Sequence, residues 1–334
     1  MFFRIYKYNH PVIIIIIFIT SIILWLPAFL KIPLSEPIVY SFEMPAYYWL
    51  LLIFQDKLYA TRILSFVLIL FQSIQLNRLN TKFFILESRS YLPSFLFIFG
   101  CSLLPMQNFN ALLFANIFLL FAIESVFSTY RNDKAWLKFF DAGLLISIAS
   151  LFYIKIVFFI IFIWIALLIL RPFRGKEWLV SILGFIIPYI ISGSYFLIFE
   201  DNLMYRANLF FDQVFSFYYS GSYDLLFLIY SGFLALLIIF SSYHIIVHLQ
   251  KRKVSVRKYY QLLFWLFIIT ISLFIFGGFN NIEILLVIMI SVSFLISNYI
   301  LSFKSGFWTE LILSAFAGII ILIQLANYTN IELF

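Results

Sequence analysis

VIIIIIFITSIILWLPAFL, residues 12–30, runs for nineteen residues without a charge, and its reading decides the fold. A helix of that length covers roughly the ~30 Å of hydrocarbon in a bilayer, whereas an outer-membrane strand is ~10 residues long and alternates in polarity. This run does not alternate. It follows a basic opening, MFFRIYKYNH, as the core of a secretory signal would, yet it ends in Trp25, Pro27 and Phe29 instead of the small residues of a cleavage site. It is expected to remain in the chain as a signal anchor.

The rest of the chain is of the same kind. Of its 334 residues 64% are hydrophobic and only 11% charged, with a mean hydropathy of +1.07, whereas a soluble domain carries about a quarter charged residues. The expected fold class is therefore all-α, a polytopic transmembrane helical bundle that forms a single domain over residues 1–334. Eleven spans are read, at roughly 12–30, 61–77, 91–105, 110–128, 139–153, 155–170, 178–199, 224–247, 260–276, 282–301 and 307–326.

The basic residues test that count, because Lys and Arg collect on the cytoplasmic side of a membrane protein. With the N-terminus inside, seventeen of the 22 Lys and Arg fall on the inner side, and only Lys31, Lys57, Arg62, Lys155 and Arg206 fall outside. One missed span would swap the sides of everything after it and destroy this bias. The expected topology is N-in/C-out, in the cell inner (cytoplasmic) membrane, with NYTNIELF outside. Nine of the 15 acids lie on the outer side, so any acid chemistry is expected there. The net charge of +7 follows from orientation and from attraction of loops such as HLQKRKVSVRKYY to an anionic leaflet, and implies no nucleic acid. The partner that it implies is membrane lipid.

Two outer connections hold most of the outer acids. The first, residues 31–60, contains SEPIVYSFEMPAYYW, in which Glu36 and Glu43 precede an apolar stretch, AYYWLLLIF, too short to span. That stretch reads as an interfacial helix with Pro45 in its first turn, where a missing N–H costs nothing, and with Glu43 near its positive end. Each glutamate is either a solvated flank or a base for a hydroxyl acceptor. The second connection, residues 200–223, mixes aromatics and acids with Arg206. Lys155 interrupts the apolar run 143–170 and is read as the turn between two spans. It either snorkels to the interface or, with Arg206 and Arg62, holds a lipid phosphate.

Other residues carry less. SGS at 192–194 and GG at 277–278 read as hinges or close-packing points. Glu124, Asp141 and Glu310 are expected to pair with nearby Lys and Arg or to snorkel. His244 and His248 share one helix face, but no carboxylate or cysteine completes a metal set, so no metal is expected. Cys101 has no partner for an internal disulfide. No phosphate-binding glycine loop, nucleophile elbow or HExxH is present.

Three segments resemble the C-type (GT-C) membrane glycosyltransferases. They are MPAYYWLLLIFQDKLYATRILSFVLILFQ (44–72), ASLFYIKIVFFIIFIWIALLILRP (149–172) and EWLVSILGFIIPYIISGSYFLIF (177–199). They resemble the family's interfacial helix with paired aromatics, its pair of short spans broken by a Lys, and the span that follows. The resemblance covers roughly residues 1–200. It implies a GT-C-like scaffold that moves a sugar from a polyprenyl-phosphate donor to an outer-side acceptor, with no other cofactor. An acid of the first outer loop, commonly Asp, would be the base. Here Glu43, or failing that Glu36, stands in its place, with Lys155, Arg206 and Arg62 toward the donor phosphate. The alternative expectation is a non-catalytic subunit that binds lipid or a membrane protein partner on the same scaffold. A transporter would carry its charges near the bilayer midplane, whereas these cluster at span ends.

Overall fold

In hydrocarbon a backbone N–H or C=O without a partner costs several kcal/mol, so an apolar segment winds into a helix that satisfies its own groups. This holds even for the β-branched Ile13–Ile17 run, whose stiff side chains lower helix propensity in water. The computed structural model describes residues 12–30, 44–54, 57–199, 208, 210, 212–214, 225–276, 282–303 and 306–329, and every regular element among them is helical. In chain order they are α1 (Val12–Leu30), α2 (Pro45–Phe54), α3 (Leu58–Phe83), α4 (Leu92–Gly100), α5 (Leu104–Gln107), α6 (Ala111–Phe127) and α7 (Ala135–Ser150). A 3-10 segment, Ile154–Phe159, then leads into α8 (Ile160–Leu170), followed by α9 (Gly175–Phe199), α10 (Leu225–His248), α11 (Val254–Phe276), α12 (Leu285–Ser302) and α13 (Gly306–Thr329).

Each of the eleven expected spans falls on a helix. Seven of these, α1, α3 and α9 to α13, are long and apolar enough to cross a membrane. Of the other four, α4 and α6 are shorter than the expected spans, α7 is shifted to Ala135–Ser150, and the 155–170 span is part 3-10 segment and part α8. The most extreme is α4, whose 9 residues make a rod only about 14 Å long. Burial gives the reason. All of α4 lies within the protein, and backbone at membrane depth can leave the helix where protein, and not lipid, surrounds it.

Burial also sorts the helices into layers. α12 is buried over 83% of its apolar window, which matches its all-round apolar sequence LLVIMISVSFLIS. It packs against α4, α6, α10 and α11. α1 is different: Ile13, Ile17, Ser21, Leu24, Trp25 and Ala28 form a buried stripe at helical spacing, while Ile14, Ile15, Phe18, Ile19, Ile22 and Ile23 are exposed. Within a bilayer that exposed face meets lipid tails, and the same holds for the outward residues of α9, α10 and α13. Trp25 closes the inner side of α1, with its ring 5.3 Å from that of Phe66 on α3.

The most extensive helix pair is α7 with α9, and two glycines explain it. A Cβ on Gly143 would strike the Ser181 carbonyl oxygen, and one on Gly184 would strike the Phe140 carbonyl oxygen. With no hydrophobic force between helices in lipid, such backbone approach is what holds them. Gly193, a proposed hinge or packing point, has nothing within 4 Å. Gly277 and Gly278 lie outside the described residues.

Polar contacts divide the helix ends into two sets. At one end Glu124 on α6 takes Lys82 at 2.7 Å and Arg78 at 3.2 Å, both on α3. At that same end Arg171 pairs with Glu177 and donates to the carbonyls of Thr129 and Asn132, and Arg252 pairs with Glu87 at 2.9 Å. Lys258 and Tyr259 donate to the carbonyls of Leu170 and Phe127. This end gathers the segments expected to be cytoplasmic, and we call it the basic end. At the opposite end Gln107 and Gln324 both donate to the carbonyls of Leu24 and Ser102, and Tyr230 donates to the Gly100 carbonyl. Leu24 lies in the turn that Pro27 distorts, since proline has no N–H and crowds the preceding turn; neighbouring side chains satisfy backbone groups loosened in this way.

Candidate functional site

Glu36, Glu43 and Arg206 lie outside the described residues, as do the outer loops 31–43 and most of 200–224. The segments beside them do meet. Met44, which follows Glu43 in the chain, is buried with Ile154, which precedes Lys155, and with Val214; Leu151, Phe158 and Phe210 pack around them. The Ala46 N–H donates to the Leu151 carbonyl at 3.2 Å, so the start of α2 is pinned by the backbone to the turn that holds Lys155. Phe210 also lies edge-on to Tyr189 of α9, whose hydroxyl is hydrogen-bonded to Ser150. The start of α2, the 151–159 break and the residues Phe210 and Val214 therefore converge at the end opposite the basic one.

One side chain anchors the middle of α2. Tyr47 is fully buried, stacks on Phe109 with centroids 5.9 Å apart and donates to the Phe109 carbonyl. Tyr48, Trp49, Leu52 and Ile53 stay exposed, which is the division an interfacial helix requires.

Lys155 occupies the first turn of the 3-10 segment and is only 8% exposed, so its side chain is packed within the protein and not laid out along a lipid surface. Tyr153, two residues before Lys155, and Glu283 were not singled out by sequence as site residues. Tyr153 and Glu283 are each 7% exposed, and the Glu283 carboxylate acts electrostatically on the Tyr153 hydroxyl. Both the Ile154–Phe159 segment and the Ile282–Ile284 turn that carries Glu283 pack against α11. Arg62 is 5% exposed and donates to Asn108 Oδ1 at 2.8 Å. Asn108 follows α5, and α5 packs against the Ile282–Ile284 turn. A buried cation, carboxylate and phenol within one end of the bundle can bind an anion and handle a proton.

His244 and His248 stack with centroids 4.3 Å apart, and His248 Nδ1 lies 2.9 Å from the His244 carbonyl oxygen. Among the described residues no group of three potential metal ligands is found. The expected pairing of Glu124 and Asp141 is present, Asp141 with Lys138 at 3.1 Å.

Fold and composition together define a multi-pass integral membrane protein built of helices. The chain belongs to the family of unknown function DUF6427, whose model matches residues 34–333. No curated protein and no solved structure matches it.

Proposed function

We propose that this membrane protein transfers a sugar from a polyprenyl-phosphate carrier to an acceptor at the end that holds Lys155. The observation that carries the reading is the packing of Met44, Ile154 and Val214, which joins the residues next to Glu43 and Lys155 to the outer connection that carries Arg206. In this reading the acceptor hydroxyl gives its proton to Glu43, or failing that Glu36, as its oxygen bonds to the anomeric carbon. The bond from that carbon to the phosphate oxygen breaks, and polyprenyl phosphate leaves with the electron pair. Lys155 and Arg206 offset the charge left on the phosphate, and Arg62 supports the same end through Asn108. The scaffold is GT-C-like, all eleven segments cross, and the protein sits in the inner membrane with Lys155 on the outer side.

A second reading, a non-catalytic subunit that binds lipid or a membrane protein, is supported by an apolar recess of about 570 Å³ between α1, α4 and α13. One experiment separates the two. Purified protein is supplied with polyprenyl-phosphate sugars, and transfer is compared between wild type, Glu43→Gln and Glu36→Gln. Loss of transfer in one variant with the fold intact supports the enzyme; no transfer by wild type, in a cell that still needs the protein, supports the subunit.

A further inference from the structure

A second polar site lies at the other end of the molecule and rests on none of the above. Between α3, α6 and α7 a cavity of about 420 Å³ opens at the basic end, inside the ~300–1,000 Å³ range of small-ligand sites. Arg78 and Lys82 line it from α3, and Lys138 lines it from α7. Two carboxylates, Glu124 and Asp141, face these three cations, so the lining carries a net positive charge.

Accessibility strengthens that sign. The side chains of Arg78, Lys82 and Lys138 are 57%, 46% and 43% exposed, whereas that of Glu124 is 11% exposed. Both α3 cations contact the same oxygen, Glu124 Oε1, which leaves their remaining N–H groups available to a ligand. The Asp141 side chain, 44% exposed, is the one accessible acid, and it is held by Lys138. Phe121, Leu144 and Leu145 form the rest of the wall. Cations beside an apolar wall, between membrane-embedded helices, are the arrangement that takes anionic headgroups.

We propose that this cavity binds a phosphate group, carried by a lipid of the adjoining leaflet or free in solution. Arg78 and Lys138 reach it from opposite walls, Lys82 adds charge, and the apolar wall accepts the first carbons of a lipid chain.

The test uses the full-length protein in detergent. Retention of phosphatidylglycerol against phosphatidylcholine is read by native mass spectrometry, and the unfolding temperature is read with and without inorganic phosphate. Lys138→Gln and the double variant Arg78→Gln/Lys138→Gln are compared with Lys134→Gln, an exposed neighbour outside the cavity. The Lys138–Asp141 pair is exposed and adds little stability, so Lys138→Gln is expected to fold, and its unliganded unfolding temperature checks this. Phosphatidylglycerol affinity is expected to fall about fivefold for each cation removed and to hold in Lys134→Gln. Phosphatidylglycerol retention with inert phosphate identifies the lipid source. A phosphate-dependent unfolding shift that Lys138→Gln abolishes, without lipid preference, identifies the soluble source. Equal retention in all variants with no phosphate shift overturns the site.

Discussion

At the scale of single residues, the molecule is pinned by amides that no sequence pattern announces. Gln324 Nε2 donates to the carbonyls of Leu24 and Ser102, each at 2.8 Å, so one side chain of α13 ties α1 to the end of α4. Gln324→Leu is expected to lower stability by about 1 kcal/mol, the order measured for interhelical hydrogen bonds in membranes. Unfolding in mixed micelles, followed by circular dichroism, reads the change, and an unchanged midpoint would show that lipid or water replaces the amide. Deeper in the bundle Gln72 donates to the Leu113 carbonyl and accepts from Asn116 at 2.9 Å. These residues read as ordinary polar interruptions of apolar runs, because their partners lie 41 to 300 positions away in the chain. Lys155 was legible, since a cation that breaks a long apolar run is conspicuous. Glu283 and Tyr153 were not, because their proximity exists only after two distant segments have packed against α11.

At the scale of elements, the order of the long helical segments could be read from apolar runs, although the four-residue α5 was not among them. Their lengths could not. α4 and α6 stop short because protein surrounds them, and hydropathy does not distinguish a segment wrapped by lipid from one wrapped by helices. The glycine contacts show the same limit. Gly143 and Gly184 sit where α7 and α9 touch backbone to backbone, while the conspicuous Gly193 meets nothing. Gly184→Val is expected to destabilise the protein by about 1–3 kcal/mol, the usual cost of overpacking. Gly193→Ala is expected to be neutral or slightly stabilising, since alanine restricts the unfolded chain without a clash. Thermal unfolding of the two variants side by side checks both, and a larger loss at Gly193 would contradict the packing described for α9.

At the scale of the whole molecule, two chemically distinct ends face each other across an apolar body. Lys57 and Lys134 are exposed and belong to opposite ends, and Cys101, the single cysteine, is fully buried. Lys57→Cys is expected to react with a membrane-impermeant maleimide in intact cells, and Lys134→Cys only after permeabilisation; the reverse pattern would invert the proposed orientation. The central position of α12 bears on how the protein is made. The ribosome releases α12 next to last among the thirteen helices described, yet α4, α6, α10 and α11 all pack upon it. Until residue 285 and those after it leave the exit tunnel, the earlier helices wait in the membrane around a vacancy. A chain cut short before that point is an unfinished substrate for insertases and quality-control proteases, however complete its first eleven helices are.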